Sequence, residues 1–121
     1  MKVLIVEDNP AVRHVIRSVV ETVADEIREC ANGAEALAAY AAERPDFVLM
    51  DIEMEAMDGI TATRHLMVAD PSARVIIVTD HDQPDLREAA HEAGASGYVV
   101  KDNLLDLVAW LDAEDTRRWR K

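Results

Sequence analysis

Short runs of aliphatic residues recur along this chain, each followed by a stretch whose apolar residues repeat every three to four positions. That alternation restricts the possible folds more than any other feature of the sequence. Val3 to Val6, Phe47 to Met50 and Val75 to Val78 are continuously apolar, the pattern of strands covered on both faces. Glu26 to Cys30 reads as a weaker second strand and Tyr98 to Val100 as a short fifth one, ending at Lys101. Asn9-Pro10 offers a cap and a first-turn proline, and Val12, Val15, Ile16, Val19 and Val23 then stripe a first helix. The turn pair Asn32-Gly33 precedes a second helix, striped by Ala34, Leu37, Ala38 and Ala41, that stops before Pro45. Asp58-Gly59 opens a third helix ending near Asp70-Pro71. Leu86, Ala89, Ala90 and Ala93 stripe a fourth that Gly94 terminates, and Leu104, Leu107, Val108 and Leu111 a fifth. Trp110 falls off that last stripe, which leaves it to pack on the tail or to stand exposed as a partner anchor.

Five strands alternating with five helices imply an α/β fold with a parallel sheet and helices on both faces. Right-handed crossovers leave few topologies, and the doubly wound, flavodoxin-like strand order 2-1-3-4-5 is the expected one. With 121 residues there is room for one core, so a single domain over 1–121 is expected, without a second domain. No apolar run approaches the roughly 18 residues of a membrane span, and the N-terminal run is too short for a signal peptide. The single cysteine, Cys30, excludes an internal disulfide, and a cytoplasmic location is the default expectation. A formal net charge of −11 argues against direct nucleic-acid binding, because phosphate backbones would be repelled. The exception is local: Arg117, Arg118, Arg120 and Lys121 surround Trp119, as a solvated helix end or as a docking tail.

In open parallel sheets, ligands sit beyond the carboxyl ends of the strands. The residues there are Glu7 and Asp8, then Asp51, Thr79 and Lys101. Each alone reads blandly: the acids suit a helix N-terminus, the threonine a strand end, the lysine a solvated surface. Together they place three carboxylates, a hydroxyl and an ammonium on one sheet edge. Clustered carboxylates repel unless a cation neutralises them, and oxygen-only ligands point to a hard ion, Mg²⁺. His14, His65, His81 and His91 share no metal-ligand spacing, so zinc is not expected. His81 falls near the pocket mouth. A phosphoryl group would complete the Mg²⁺ shell, with Lys101 and Thr79 on its remaining oxygens. Asp51, at the end of the central strand, is the expected nucleophile, giving an aspartyl phosphate.

These motifs are Val6-Glu7-Asp8-Asn9, the run from Asp51-Ile52-Glu53-Met54 to Asp58-Gly59, Val78-Thr79, and Gly97-Tyr98-Val99-Val100-Lys101. In that combination the chain resembles the receiver domains of bacterial two-component response regulators over essentially its whole length. The resemblance implies that Asp51 takes a phosphoryl group from the phosphohistidine of a sensor histidine kinase or phosphotransfer protein. It implies Mg²⁺ on Asp8, Asp51 and the Glu53 backbone carbonyl, with Glu7 acting through water. It also implies Thr79 and Tyr98 as a switch pair. The signal would then leave for a protein target or a homodimer partner through the fourth helix, fifth strand and fifth helix. The stretch around Tyr98 is most similar to receivers that precede a helix-turn-helix output domain. Three positions depart from the family pattern: Glu55 and Asp102 stand where proline is common, and Asp80 where a small residue is. Two other readings are a pseudo-receiver that signals without phosphorylation, mildly favoured by Asp80 and Glu55, and a Mg²⁺-dependent phosphohydrolase. The latter lacks a segment long enough for a substrate cap.

Overall fold

In the computed structural model, the backbone is described for residues 1–119 and the side chains for residues 1–113. The basic cluster Arg117, Arg118, Arg120 and Lys121 therefore lies outside the described side chains. The chain runs β1 (Lys2–Val6), α1 (Pro10–Val20), β2 (Glu26–Cys30), α2 (Gly33–Glu43), β3 (Phe47–Met50), α3 (Gly59–Ala69), β4 (Val75–Thr79), α4 (Pro84–Glu92) and β5 (Gly97–Val100). A 3₁₀ turn (Lys101–Asn103) then leads into α5 (Leu104–Trp119). All strand pairs are parallel and their order is β2-β1-β3-β4-β5, as the alternation required.

Alternate residues of each strand point to opposite faces, and the core divides accordingly. Leu4, Val6, Val48, Met50, Val75 and Ile77 pack under α2, α3 and α4 through Ala36, Tyr40, Ala62, Leu66 and Ala90. Val3, Ile5, Phe47, Leu49, Ile76 and Val78 pack under α1 and α5 through Ile16, Val20, Leu107 and Leu111. Burial of both faces explains why the central strands read as unbroken apolar runs. Among the described residues no helix is long and apolar enough to cross a membrane.

The helix starts match the sequence closely. Asn9 accepts from the N–H groups of Ala11 and Val12, Asn32 from Glu35, and Asp58 from Thr61, each satisfying donors that have no partner inside the helix. Gly94, with φ +104°, takes the left-handed turn after α4.

Two stripes and one aromatic differ from expectation. In α1, Val15 is 50% exposed, whereas Val20, outside the expected stripe, is fully buried. In α2 the buried face is Gly33, Ala36 and Tyr40, so Ala34, Ala38 and Ala41 are exposed and the stripe is rotated. Alanines carry little signal about facing. Tyr40 decides the matter, because its ring fills the core while its hydroxyl donates to Asp70 Oδ2 at 2.8 Å. Trp110 is half-buried rather than exposed and meets Phe47 edge-on, with centroids 5.8 Å apart; the tail side chains lie outside the described residues. Gly97 opens the space it fills, since a Cβ there would lie 3.0 Å from the indole.

Candidate functional site

The register of the central strands brings the acids together. The Asp51 N–H donates to Val6 O at 3.1 Å and the Glu7 N–H to Cys30 O at 3.1 Å, so both residues continue the sheet by one step past their strands. Glu7 and Asp51 are buried, with 1% and 6% exposure, while Asp8 reaches them from the open side. One carboxylate oxygen from each of the three lies within 4.8 Å of the others. Lys101, just past β5, reaches over the group: its Nζ is 2.7 Å from Glu7 Oε1 and 3.4 Å from Asp51 Oδ1. The expected constellation is therefore assembled, and Thr79, 1% exposed at the end of β4, lines the same cavity of about 590 Å³.

Crowding shows in the charge states. Burial, reinforced by the Glu7 charge and opposed by Lys101, pushes the Asp51 carboxyl up to about 6. Burial works against the Lys101 ammonium, yet Glu7 and Asp51 outweigh it and hold its pKa above the ordinary lysine value. The buried Glu7 Oε1 has the Lys101 ammonium as its partner, 2.7 Å away. Three carboxylates with one oxygen each inside 4.8 Å, and no nitrogen or sulfur ligand among them, fit a hard divalent cation such as Mg²⁺.

Asp51 itself is fixed from behind. The Ile52 N–H donates to Asp51 Oδ1 at 2.9 Å, which together with Lys101 leaves Oδ2 facing the cavity. Gly59 begins α3 directly against this strand end, with its N–H donating to Ile52 O at 2.9 Å. A Cβ on Gly59 would fall 1.8 Å from Asp51 O, so only glycine allows this approach.

Glu53 is exposed, and its side chain pairs with the His81 ring across the cavity mouth. His81 is also a junction, a role that its place in the sequence does not reveal. Its N–H donates to Thr79 Oγ1 at 3.3 Å, and its carbonyl accepts from the Tyr98 hydroxyl at 2.8 Å. Tyr98 is half-buried, with the Arg87 guanidinium 4.5 Å above its ring and Arg87 in turn bonded to Asp82 at 2.6 Å. Thr79 and Tyr98 are thus joined through one loop residue. Strand-end spacing could not reveal this, because the link runs through main-chain atoms of His81. Asp80 and Glu55 are exposed and line the same cavity.

A family model of the response regulator receiver domain matches residues 3–111. The chain is 37% identical over 100 residues to the chemotaxis protein CheY of Halobacterium salinarum, covering 83% of each. It superposes with TM-score 0.87 and 36% identity on a LuxR-family two-component response regulator from Aurantimonas sp. SI85-9A1, covering 93% of this chain and 82% of that one. It is also similar to the CheY of Borrelia burgdorferi solved in a CheX–CheY–BeF3–Mg²⁺ complex, with TM-score 0.80 and 29% identity over 92% of this chain and 88% of that one.

Proposed function

This chain belongs to the response regulator receiver domain family, and from that premise we propose that it is switched by accepting a phosphoryl group on Asp51. Receiver domains are signalling switches rather than enzymes that turn over a separate substrate. The observation that carries the proposal is the position of Asp51: buried at the end of the central strand, with Glu7 and Asp8 oxygens within 4.8 Å and Lys101 Nζ at 3.4 Å.

Asp8, Asp51 and the Glu53 backbone carbonyl would hold Mg²⁺, with Glu7 acting through water. When bound, the ion supplies positive charge to the phosphoryl oxygens. Asp51 Oδ2 attacks phosphorus, the P–N bond of the donor's phosphohistidine breaks, and the departing imidazole nitrogen keeps the bonding pair and takes up a proton. Lys101 pairs with one phosphoryl oxygen and the Thr79 hydroxyl donates to another. The protein thereby catalyses its own phosphorylation, and water entering the same pocket ends the signal by attacking phosphorus and breaking the Asp51 O–P bond, which releases inorganic phosphate and restores the carboxylate. Because His81 joins Thr79 to Tyr98, movement of Thr79 onto the phosphate shifts Tyr98. The signal then passes through the α4–β5–α5 face to a protein target or a second copy, in the cytoplasm where a sensor histidine kinase or phosphotransfer protein supplies the phosphate. The acidic surface, with a formal net charge of −11, leaves direct nucleic-acid binding outside this domain's role.

Incubation with a small phosphodonor and Mg²⁺ tests the acceptor. Intact mass should rise by one phosphoryl group in the wild type and stay unchanged in Asp51→Ala. Labelling retained in that variant would move the acceptor elsewhere. A wild type that no donor labels would make the chain a pseudo-receiver.

A further inference from the structure

Arg13 stands behind the pocket, in the first turn of α1, and holds the main chain of the acid pair. Its Nη1 donates to the Glu7 carbonyl oxygen at 2.8 Å, and its Nε donates to Glu29 Oε1 at 2.9 Å. Glu29, near the end of β2, is itself tied to Arg17 through its other oxygen. The Arg13 side chain is 21% exposed: its bond to the Glu7 carbonyl is part-buried, while its pair with Glu29 lies open to solvent. The carbonyl it grips belongs to the peptide that joins Glu7 to Asp8. From the other side the Glu7 N–H is held by Cys30 O at 3.1 Å, so Glu7 is anchored at both its main-chain groups. The carboxylates of Glu7 and Asp8 hang from the two ends of that peptide. Its orientation decides whether both can face Asp51.

We propose that Arg13, oriented by Glu29, is a positioning residue for the Glu7–Asp8 pair, fixing the peptide between them so that their carboxylates converge with Asp51 on a divalent cation. This rests on the reading of the pocket as a Mg²⁺ site. Second-tier partners of this kind typically alter metal affinity by about 10–100-fold when removed. The competing role, a purely structural tie between α1 and β2, makes a different forecast. So does charge alone: deleting any arginine near an acidic site strengthens cation binding, whereas loss of positioning weakens it.

The sign therefore decides. Mg²⁺ alone is titrated into wild type, Arg13→Met, Arg13→Lys, Arg17→Met and Asp8→Asn, with binding followed by amide NMR shifts and calorimetry. Arg13→Met should bind about tenfold more weakly and Arg13→Lys should fall between it and wild type. Arg17→Met breaks a Glu29 pair on the same helix without touching Glu7, and should stay within about twofold of wild type. Urea midpoints in EDTA should fall by similar amounts in Arg13→Met and Arg17→Met, so only the Mg²⁺ affinity separates positioning from a structural tie. If Arg13→Met does not fold, Arg13→Lys carries the comparison, again with weaker binding expected. An Arg13 variant that binds Mg²⁺ as tightly as wild type or more tightly, while Asp8→Asn binds weakly, overturns this proposal alone. A wild type that binds no Mg²⁺ overturns the pocket reading and this proposal with it.

Discussion

Replacing Asp51 by Asn removes the charge that the pocket accommodates least well, and the consequence is measurable without any phosphodonor. Burial first, and the neighbouring Glu7 charge second, raise this carboxyl from 3.8 to about 6. The folded protein thus holds the Asp51 proton more tightly than the unfolded chain does. The resulting stabilisation is fully present below the unfolded value and is lost as pH rises through about 6. Moving from about pH 5 to about pH 7.5 crosses roughly one unit of that range, worth ~1.4 kcal/mol. The cavity mouth opens to water, and screening there reduces the expected effect to about 0.7–1.4 kcal/mol. Asparagine does not titrate, so the unfolding free energies of wild type and Asp51→Asn should diverge by that amount, with the variant gaining relative stability at the higher pH. Urea denaturation followed by far-UV circular dichroism, in EDTA at both pH values, gives the double difference. Groups remote from the pocket cancel in it. A double difference under about 0.3 kcal/mol, or of opposite sign, would refute the claim that burial and Glu7 destabilise the Asp51 carboxylate.

Mg²⁺ at a tenfold excess over Kd should stabilise the wild type by about 1.4 kcal/mol, read as a rise in Tm that Asp8→Ala abolishes. Gly59→Ala should lower stability by about 1–3 kcal/mol or more and slow labelling of Asp51, because the new Cβ must displace the Asp51 carbonyl; urea midpoints and intact mass report both. Ala56 has φ 68°, in the left-handed region, so Ala56→Gly should stabilise by about 0.5–1 kcal/mol in the same denaturation assay. Phosphorylation should move amide NMR resonances across residues 80–111, and Thr79→Ala should uncouple them while Asp51 still accepts phosphate. Shifts confined to the pocket would show that the His81 junction does not transmit.

Strand order and the strand-end set Glu7, Asp8, Asp51, Thr79 and Lys101 were legible in the sequence. Both come from local patterning: continuous apolar runs mark strands covered on both faces, and in a parallel sheet the residue after each run lies on the same sheet edge. The caps at Asn9, Asn32 and Asp58 were legible too, or nearly so, because capping is chemistry between residues two or three apart. Tertiary structure decided the features that depend on contacts between distant segments. The facing of α2 was set by Tyr40 reaching Asp70, not by its alanines, and the place of Trp110 by Phe47 and the gap at Gly97. The same holds for the His81 bridge between Thr79 and Tyr98 and for the Arg13 grip on the Glu7 carbonyl. Both use main-chain oxygens, which every residue carries alike. A sequence names side chains, and which backbone group a side chain meets is settled only when the strands and helices have packed.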